Sequence, residues 1–231
     1  MQNKDIQVAI RSYNRPKYLQ ETLDSISKSD LDKTNKIIIF DDGSNDKETL
    51  DILKRYDNND SDNKYKVIYS EKNYGCTQSY LNLLKYIKQN IKTDYVCIVD
   101  NDIHVNKNWL NNLHSTYKEA EETLKTSNIV LSGFSPTNTH QYKGEQVKMY
   151  KNFHLQYSVG AVCYFFNYDY MGTIYKGWDE GQDWGISRII KRLGQNLAVL
   201  NKGVVNHIGM HGINSSGTRY DYDKNFIEDE D

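Results

Sequence analysis

The sequence predicts an α/β protein with a mostly parallel central sheet flanked by helices and a smaller mixed-sheet part towards its C-terminal end. Two observations carry the prediction. Short apolar runs alternate with longer helix-period stretches through the first 130 residues, the pattern of βαβ units. Paired carboxylates then stand at the ends of two of those runs, and open α/β sheets bind their ligands outside the carboxyl ends of the strands.

In chain order, residues 6–10 read as the first strand, and residues 15–28 as a helix with Tyr18, Leu19, Leu23 and Ile26 at helical spacing. Residues 37–40 form a second strand, and a helix follows over about 46–56. Residues 65–69 and 95–99 are the third and fourth strands, each followed by a helix, over 77–91 and 107–124. Residues 129–131 make a fifth strand. The pattern then changes. Residues 134–148 are a polar loop with Pro136 and Gly144, and 159–166 is an aromatic stretch that reads as a buried strand. A helix over 182–193 ends at Gly194, where a left-handed cap suits glycine. Two short strands, 197–200 and 204–205, precede a Gly- and Ser-rich segment and the acidic tail Glu228-Asp229-Glu230-Asp231. With no internal repeat, one domain over 1–212 is the economical reading, with 213–231 as a flexible tail or lid.

Composition narrows the class. The 231 residues carry a net charge of −2, without the basic excess of a nucleic-acid binder, and 38% hydrophobic residues suffice for a core. The three cysteines, Cys76, Cys97 and Cys163, lack C-x-x-C spacing, which suits a reducing compartment and neither a disulfide framework nor a zinc site. With no secretory signal pattern and no apolar run long enough to span a bilayer, the chain reads as soluble and cytoplasmic. A P-loop, a G-x-G-x-x-G turn and a G-x-S-x-G elbow are all absent, which removes the P-loop ATPase, dinucleotide dehydrogenase and serine hydrolase readings.

The strand exits hold the candidate chemistry. They read Arg11-Ser12-Tyr13-Asn14-Arg15-Pro16, Asp41-Asp42-Gly43-Ser44, Glu71-Lys72-Asn73-Tyr74-Gly75 and Asp100-Asn101-Asp102. If the second is only a turn, Asn45 caps the next helix and Glu48 closes a capping box. The fourth has the same plain reading as a turn. Against it, Asp100 and Asp102 would bring two anions together at a buried sheet edge, which is costly unless a cation is present. Oxygen ligands suit Mn²⁺ or Mg²⁺. His207 and His211 have H-x-x-x-H spacing, but Gly203, Gly209 and Gly212 argue against a helical zinc face, and a metalloprotease glutamate is missing. Following a strand, His207 is the better candidate to complete the Asp100/Asp102 site, with His211 its rival. Tyr13 is either core or a ligand contact, and Tyr164-Phe165-Phe166 is assigned to the core.

Taken together, these segments resemble the family-2 glycosyltransferases of the GT-A fold. The residues from Val8 to Pro16 resemble their opening strand and turn, Asp41-Asp42-Gly43-Ser44 their DDGS motif, and Asn73-Tyr74-Gly75 the N-x-G after the third strand. Asp100-Asn101-Asp102 matches the D-x-D motif, Gly177-Trp178-Asp179-Glu180 and Gln182-Asp183-Trp184 the later acidic motifs, and Asn206-His207-Ile208-Gly209 the late histidine motif. The likeness spans about residues 6–212. It implies a nucleotide-sugar-binding half over 1–133 and an acceptor and catalytic half over 134–212. It also implies metal-dependent transfer of a sugar from a nucleotide-diphosphate sugar, UDP-sugar being favoured, to a glycan or other hydroxyl acceptor with inversion.

The resemblance also implies roles. Tyr13 lies against the base and Asp42, or Asp41, accepts from its N3–H. Asp100 and Asp102 bind the ribose and a Mn²⁺ or Mg²⁺ ion, with His207 as a further ligand. Ser12, Arg15, Asn73 and Asn101 belong to the donor site. Apart from the resemblance, Gly209, Gly212, Gly217 and Ser215-Ser216 read as a mobile lid from which Arg219 would reach a diphosphate. The resemblance makes Asp183 the general base. The usual Glu-Asp pair is Gln182-Asp183 here, which puts the acceptor contact in question. Two rivals stand beside this reading. One is an inactive glycan- or nucleotide-binding module of the same fold. The other is a sugar-1-phosphate nucleotidyltransferase, disfavoured because the first exit is not Gly-rich.

Overall fold

A computed structural model describes residues 6–58, 64–135 and 147–209, together with Asp223 and Phe226. The expected alternation runs through β1 (Ile6–Ser12), α1 (Pro16–Ser27), β2 (Thr34–Asp41), α2 (Lys47–Asn58), β3 (Tyr65–Tyr69), α3 (Gly75–Asn90) and β4 (Tyr95–Asp100). Then come β5 (Ile103–Val105), α4 (Trp109–Leu124), β6 (Ile129–Ser132), β7 (Lys148–Met149), β8 (Phe153–Leu155) and β9 (Cys163–Asn167). A 3-10 turn (Tyr168–Tyr170) leads into α5 (Met171–Asp179) and α6 (Gln182–Arg192), followed by β10 (Asn196–Leu200) and β11 (Val205–His207).

Nine strands form one sheet in the order β3-β2-β1-β4-β9-β6-β10-β8-β7. β1 to β4 are parallel neighbours, as are β6 and β10, while β9 runs antiparallel between β4 and β6. The second half of the chain therefore builds into the sheet of the first, and the small separate sheet is the antiparallel pair of β5 and β11. The central strands are apolar without alternation because both faces are covered. One face packs on Leu19, Leu23, Leu53, Trp109 and Tyr117 of α1, α2 and α4. The other packs on Tyr80, Leu84, Trp178, Ile186 and Ile190 of α3, α5 and α6. The aromatic run is core as expected, with Phe165 on the first face and Tyr164 and Phe166 on the second.

Several local expectations are corrected. α2 starts at Lys47, so its cap is Asp46, whose Oδ2 accepts from the Thr49 backbone N–H at 2.8 Å and the Thr49 hydroxyl at 2.7 Å. Asn45 and Glu48 form no capping box. β9 begins at Cys163 rather than at 159, and α6 ends at Arg192, with Leu193 as its 53% exposed cap. α5 received no assignment from the sequence, and its glycines have a tertiary role. They are there for contact: a methyl on Gly177 would lie 2.6 Å from Ile186 Cα, and one on Gly185 would lie 2.0 Å from Gly177 O. The backbones of α5 and α6 touch, which fixes the start of α6 against the body. Among the described residues no helix is long and apolar enough to cross a membrane.

Candidate active site

The exits of β1, β2 and β4 are adjacent because those strands are adjacent, and side chains of the first exit lock them together. Asn14 and Arg15 both hold left-handed backbone, with φ of 49° and 64°. This conformation is uncommon outside glycine, and Asn tolerates it best. Asn14 Oδ1 accepts from the backbone N–H groups of Asn45 and Asp46, both at 3.1 Å, and its own N–H donates to Ser44 Oγ at 2.8 Å. Asn101 Nδ2 donates to Asn14 O at 3.3 Å, which ties in the β4 exit. Pro16 at the first helical position starts α1 immediately afterwards. Ser12 is buried, and Tyr13 is half-buried in the same loop.

Asp41 and Asp42 both have structural work. Asp41 accepts from the Ser44 backbone at 2.9 Å and the Ser44 hydroxyl at 2.5 Å. Asp42 accepts from the backbone N–H groups of Tyr74 at 3.1 Å and Gly75 at 2.9 Å, at the start of α3. Burial pushes both carboxyls above the usual range, and these hydrogen bonds oppose the shift. Each carboxylate oxygen keeps a second lone pair, so Asp42 retains acceptor capacity. Asn73 Oδ1 accepts from Gly75 N–H at 2.7 Å and so shapes the turn between β3 and α3.

The β5/β11 pair brings the last motif in. His207 sits opposite Ile103, and Ile208 N–H donates to Asp102 O at 2.8 Å. This places His207 Nε2 3.1 Å from Asp102 Oδ2, with Arg15 Nη1 2.6 Å from the same oxygen. Burial pushes Asp102 up, but the hydrogen bond from His207 and the charges of His207 and Arg15 hold it below the ordinary carboxylate range. Gly209 completes the wall. A methyl there would lie 2.1 Å from Asp102 Oδ2, 2.8 Å from His207 Nε2 and 2.9 Å from Arg15 Nη2.

These residues fit a divalent ion of the Mg²⁺ or Mn²⁺ kind. Asp102 and His207 offer an oxygen and a nitrogen that converge, and the missing side chain of Gly209 lets the backbone come close against both. No group of three or more His, Cys, Asp or Glu gathers among the described residues, so the shell these two side chains would give an ion is partial. Partial shells suit ions that keep water and phosphate ligands. Asp100, expected in the same set, accepts through its Oδ1 from Arg11 Nε at 2.8 Å and from Arg11 Nη2. Burial pushes Asp100 up, opposed by Arg11.

Asp183 lies in the first turn of α6, with Oδ1 accepting from the Trp184 N–H at 2.9 Å. Gln182 Nε2 donates to Thr77 Oγ1 at 2.8 Å, which ties this helix start to the start of α3 and so to the Asp42 turn. Glu180, in the acidic motif just before Asp183 and an alternative base, is paired with Arg192 at 2.5 Å. Arg219, His211 and the proposed lid after Gly212 lie outside the described residues, apart from Asp223 and Phe226.

A family model described as "Glycosyl transferase family 2" matches residues 7–181. The chain belongs to that family. It is 35% identical over 104 residues to the poly(ribitol-phosphate) beta-N-acetylglucosaminyltransferase TarS of Staphylococcus aureus (strain Mu50 / ATCC 700699), a match that covers 45% of this chain and 17% of the relative. Solved structures share its GT-A fold. One is GalNAc-T7 with UDP, GalNAc and Mn²⁺ (TM-score 0.67, 16% identity), covering 91% of this chain and 44% of that one. Another is S. aureus TarS 1–349 (TM-score 0.59, 22% identity), covering 87% and 59%. A third is the mannosyltransferase PcManGT of Pyrobaculum calidifontis with GDP-Man and Mn²⁺ (TM-score 0.57, 14% identity), covering 84% and 56%. The chain thus spans a minor part of the curated relative and about half of the structural ones.

Against this family-2 frame, three residues at the site carried no assignment from sequence. Asn14 is the lock between exits, and its signal was an asparagine in a tight strand-to-helix turn. Gly209 was quoted within a motif but given no task. Arg11 was visible as a charged residue in an otherwise apolar strand, the best signal of the three.

Proposed function

We propose that this family-2 glycosyltransferase transfers a sugar from a UDP-sugar to a glycan or other hydroxyl acceptor, in a metal-dependent reaction with inversion. The observation that carries the reading is the meeting of Asp102 and His207 beside Gly209, at a sheet edge shared with the Asp41/Asp42 turn. The Mn²⁺ and nucleotides named for the GalNAc-T7 and PcManGT structures support a metal and a nucleotide-sugar donor. Asp102 and His207 would hold the ion, which supplies Lewis-acid neutralisation of the leaving diphosphate.

The chain's own groups do the rest. Asp42 accepts from the uracil N3–H, with Asp41 holding the turn behind it, and Tyr13 lies against the base. Ser12, Asn73 and Asn101 shape this pocket, Asp100 accepts from the ribose, and Arg15 and Arg219 face the diphosphate. Asp183 takes the proton of the attacking hydroxyl, a contribution of about 10²–10⁴-fold. A single base opposite the leaving group gives inversion, by the logic of an inverting glycosidase with a sugar hydroxyl in place of water. In this reading 1–133 binds the donor, 134–212 positions acceptor and base, and 213–231 covers the site. Free thiols at Cys76, Cys97 and Cys163 support a cytoplasmic setting.

Thermal-shift titration tests this. UDP at 100 times its Kd should stabilise the protein by about 2.7 kcal/mol in Mn²⁺. EDTA should remove the effect, and Asp102→Ala should mimic EDTA while leaving the protein folded. Equal UDP stabilisation with and without metal would overturn the metal-dependent reading.

A further inference from the structure

His207 stands on β11, a three-residue strand paired with the three-residue β5 in a small sheet of its own. Two strands this short are marginal by themselves, so the place of the imidazole depends on what braces the pair. One brace is the chain just after β6. Gly133 O accepts from the backbone N–H groups of Val204 at 2.9 Å and Val205 at 3.2 Å. The ring of Phe134 meets that of His207 edge-on, with centroids 6.2 Å apart.

The other brace comes from the stretch read from sequence as a tail. Asp223 is only 3% exposed. Its Oδ2 accepts from the Ser135 backbone N–H at 3.3 Å, and its own N–H donates to Asn206 Oδ1 at 3.2 Å. Ser135 follows Phe134 and Asn206 precedes His207, so one residue ties together the immediate neighbours of the two rings that meet. The cradle is close-fitting. A methyl on Gly203 would lie 1.5 Å from Asp223 Oδ2 and 2.7 Å from its Cγ, so only glycine at that position admits the carboxylate. A carboxylate is an expensive group to bury, and an apolar side chain would fill the space at less cost. What the carboxylate adds is direction, since its hydrogen bond fixes Ser135 relative to β11.

Resting on the metal-dependent reading above, we propose that Asp223 is a positioning residue for the cation site. It holds Phe134 and β11 together, and through them keeps His207 Nε2 3.1 Å from Asp102 Oδ2, where both can take one divalent ion. The support of the site thereby extends well past residues 7–181, the part that the family model matches. Groups that orient a metal ligand from behind are typically worth about 10–100-fold in metal affinity.

The test is calorimetric titration of UDP, with and without Mn²⁺, into the parent chain, Asp223→Ala, Asp223→Asn and the double variant Gly203→Ala/Asp223→Ala, with a thermal melt of each free protein. Without Mn²⁺ all four should bind UDP alike, because the Asp41/Asp42 turn and Tyr13 are untouched. In Mn²⁺, Asp223→Ala should bind UDP about tenfold more weakly than the parent. Asp223→Asn keeps an acceptor for the Ser135 N–H and should fall between the two. The double variant sets a methyl where the carboxylate stood, 3.5 Å from Gly133 O. It refills part of the cavity and so stays informative if Asp223→Ala alone fails to fold. It should behave as Asp223→Ala does. Parent-like affinity in Mn²⁺ for Asp223→Ala or the double variant overturns the proposal even where the melt falls, since Asp223 would then brace the fold and not the ion. An equal loss with and without Mn²⁺ also overturns it, because Asp223 would then serve the nucleotide pocket. A parent chain whose UDP affinity is the same with and without Mn²⁺ overturns the metal-dependent reading itself, and this one with it.

Discussion

Gly209→Ala isolates the cation site with a single methyl. The added carbon would stand 2.1 Å from Asp102 Oδ2, whereas non-bonded heavy atoms settle at roughly 3.5 Å. The carboxylate, or the segment carrying Gly209, must therefore give by more than an ångström. The other two neighbours offer little relief, because His207 Nε2 and Arg15 Nη2 would be at 2.8 and 2.9 Å. Overpacking costs about 1–3 kcal/mol, and a chain of this size loses about 2–4 °C in Tm per kcal/mol. The stability effect should stay modest, since Gly209 lies just past β11, outside the nine-stranded sheet. The functional effect should be larger, because a displacement of about 1 Å at a reacting site can cost on the order of 10²-fold. In a thermal-shift assay the parent should gain about 5–10 °C from saturating UDP and Mn²⁺, and Gly209→Ala should gain almost none. Gly172→Ala is the control, because nothing lies within 4 Å of a methyl there. If Gly209→Ala keeps the full Mn²⁺-dependent shift, the space beside Asp102 and His207 does not hold the ion.

Two further substitutions address the other half of the site. Asp183→Asn should keep UDP and Mn²⁺ binding but lower transfer by about 10²-fold or more, whereas Glu180→Gln, already paired with Arg192, should change transfer little; steady-state rates at saturating donor decide between them. Gly185→Ala, which drives a methyl to 2.0 Å from Gly177 O, should separate α5 from α6 and destabilise the fold by about 1–3 kcal/mol in urea unfolding, and an unchanged midpoint would show that the helices are not in backbone contact.

The alternation of strands and helices was legible because it is local. A buried parallel strand such as Ile37-Ile38-Ile39 announces itself by composition, and α1 and α3 by spacing. Local reading failed where the element was short or its glycines had a tertiary reason. β5 is three residues long, too short for any period to register. α5 carries Met171, Ile174 and Trp178 at helical spacing, yet no helix was assigned there. Gly177 is required by the approach of Ile186, a residue of the next helix that no local window weighs against it.

The candidate site divides along the same line. Which residue types stand at the strand exits is a local fact, so Asp41, Asp42, Asp100 and Asp102 could be named from sequence. Which cation each carboxylate meets is not local. His207 reaches Asp102 across 105 residues because β11 pairs with the unforeseen β5, and Arg11 reaches Asp100 across 89 because β1 and β4 are neighbours in register. The D-x-D spacing alone suggested one site with two equivalent anions and a metal to relieve them. The fold relieves them separately, one with a guanidinium beside a stacked pair of aromatic rings and the other with an imidazole and an arginine, against the close backbone approach that Gly209 allows. Repulsion between the aspartates therefore no longer argues for a metal by itself. The argument passes to Asp102, His207 and the glycine packed against them, and for that reason a methyl at Gly209 is a sharper probe of the ion than the removal of either aspartate.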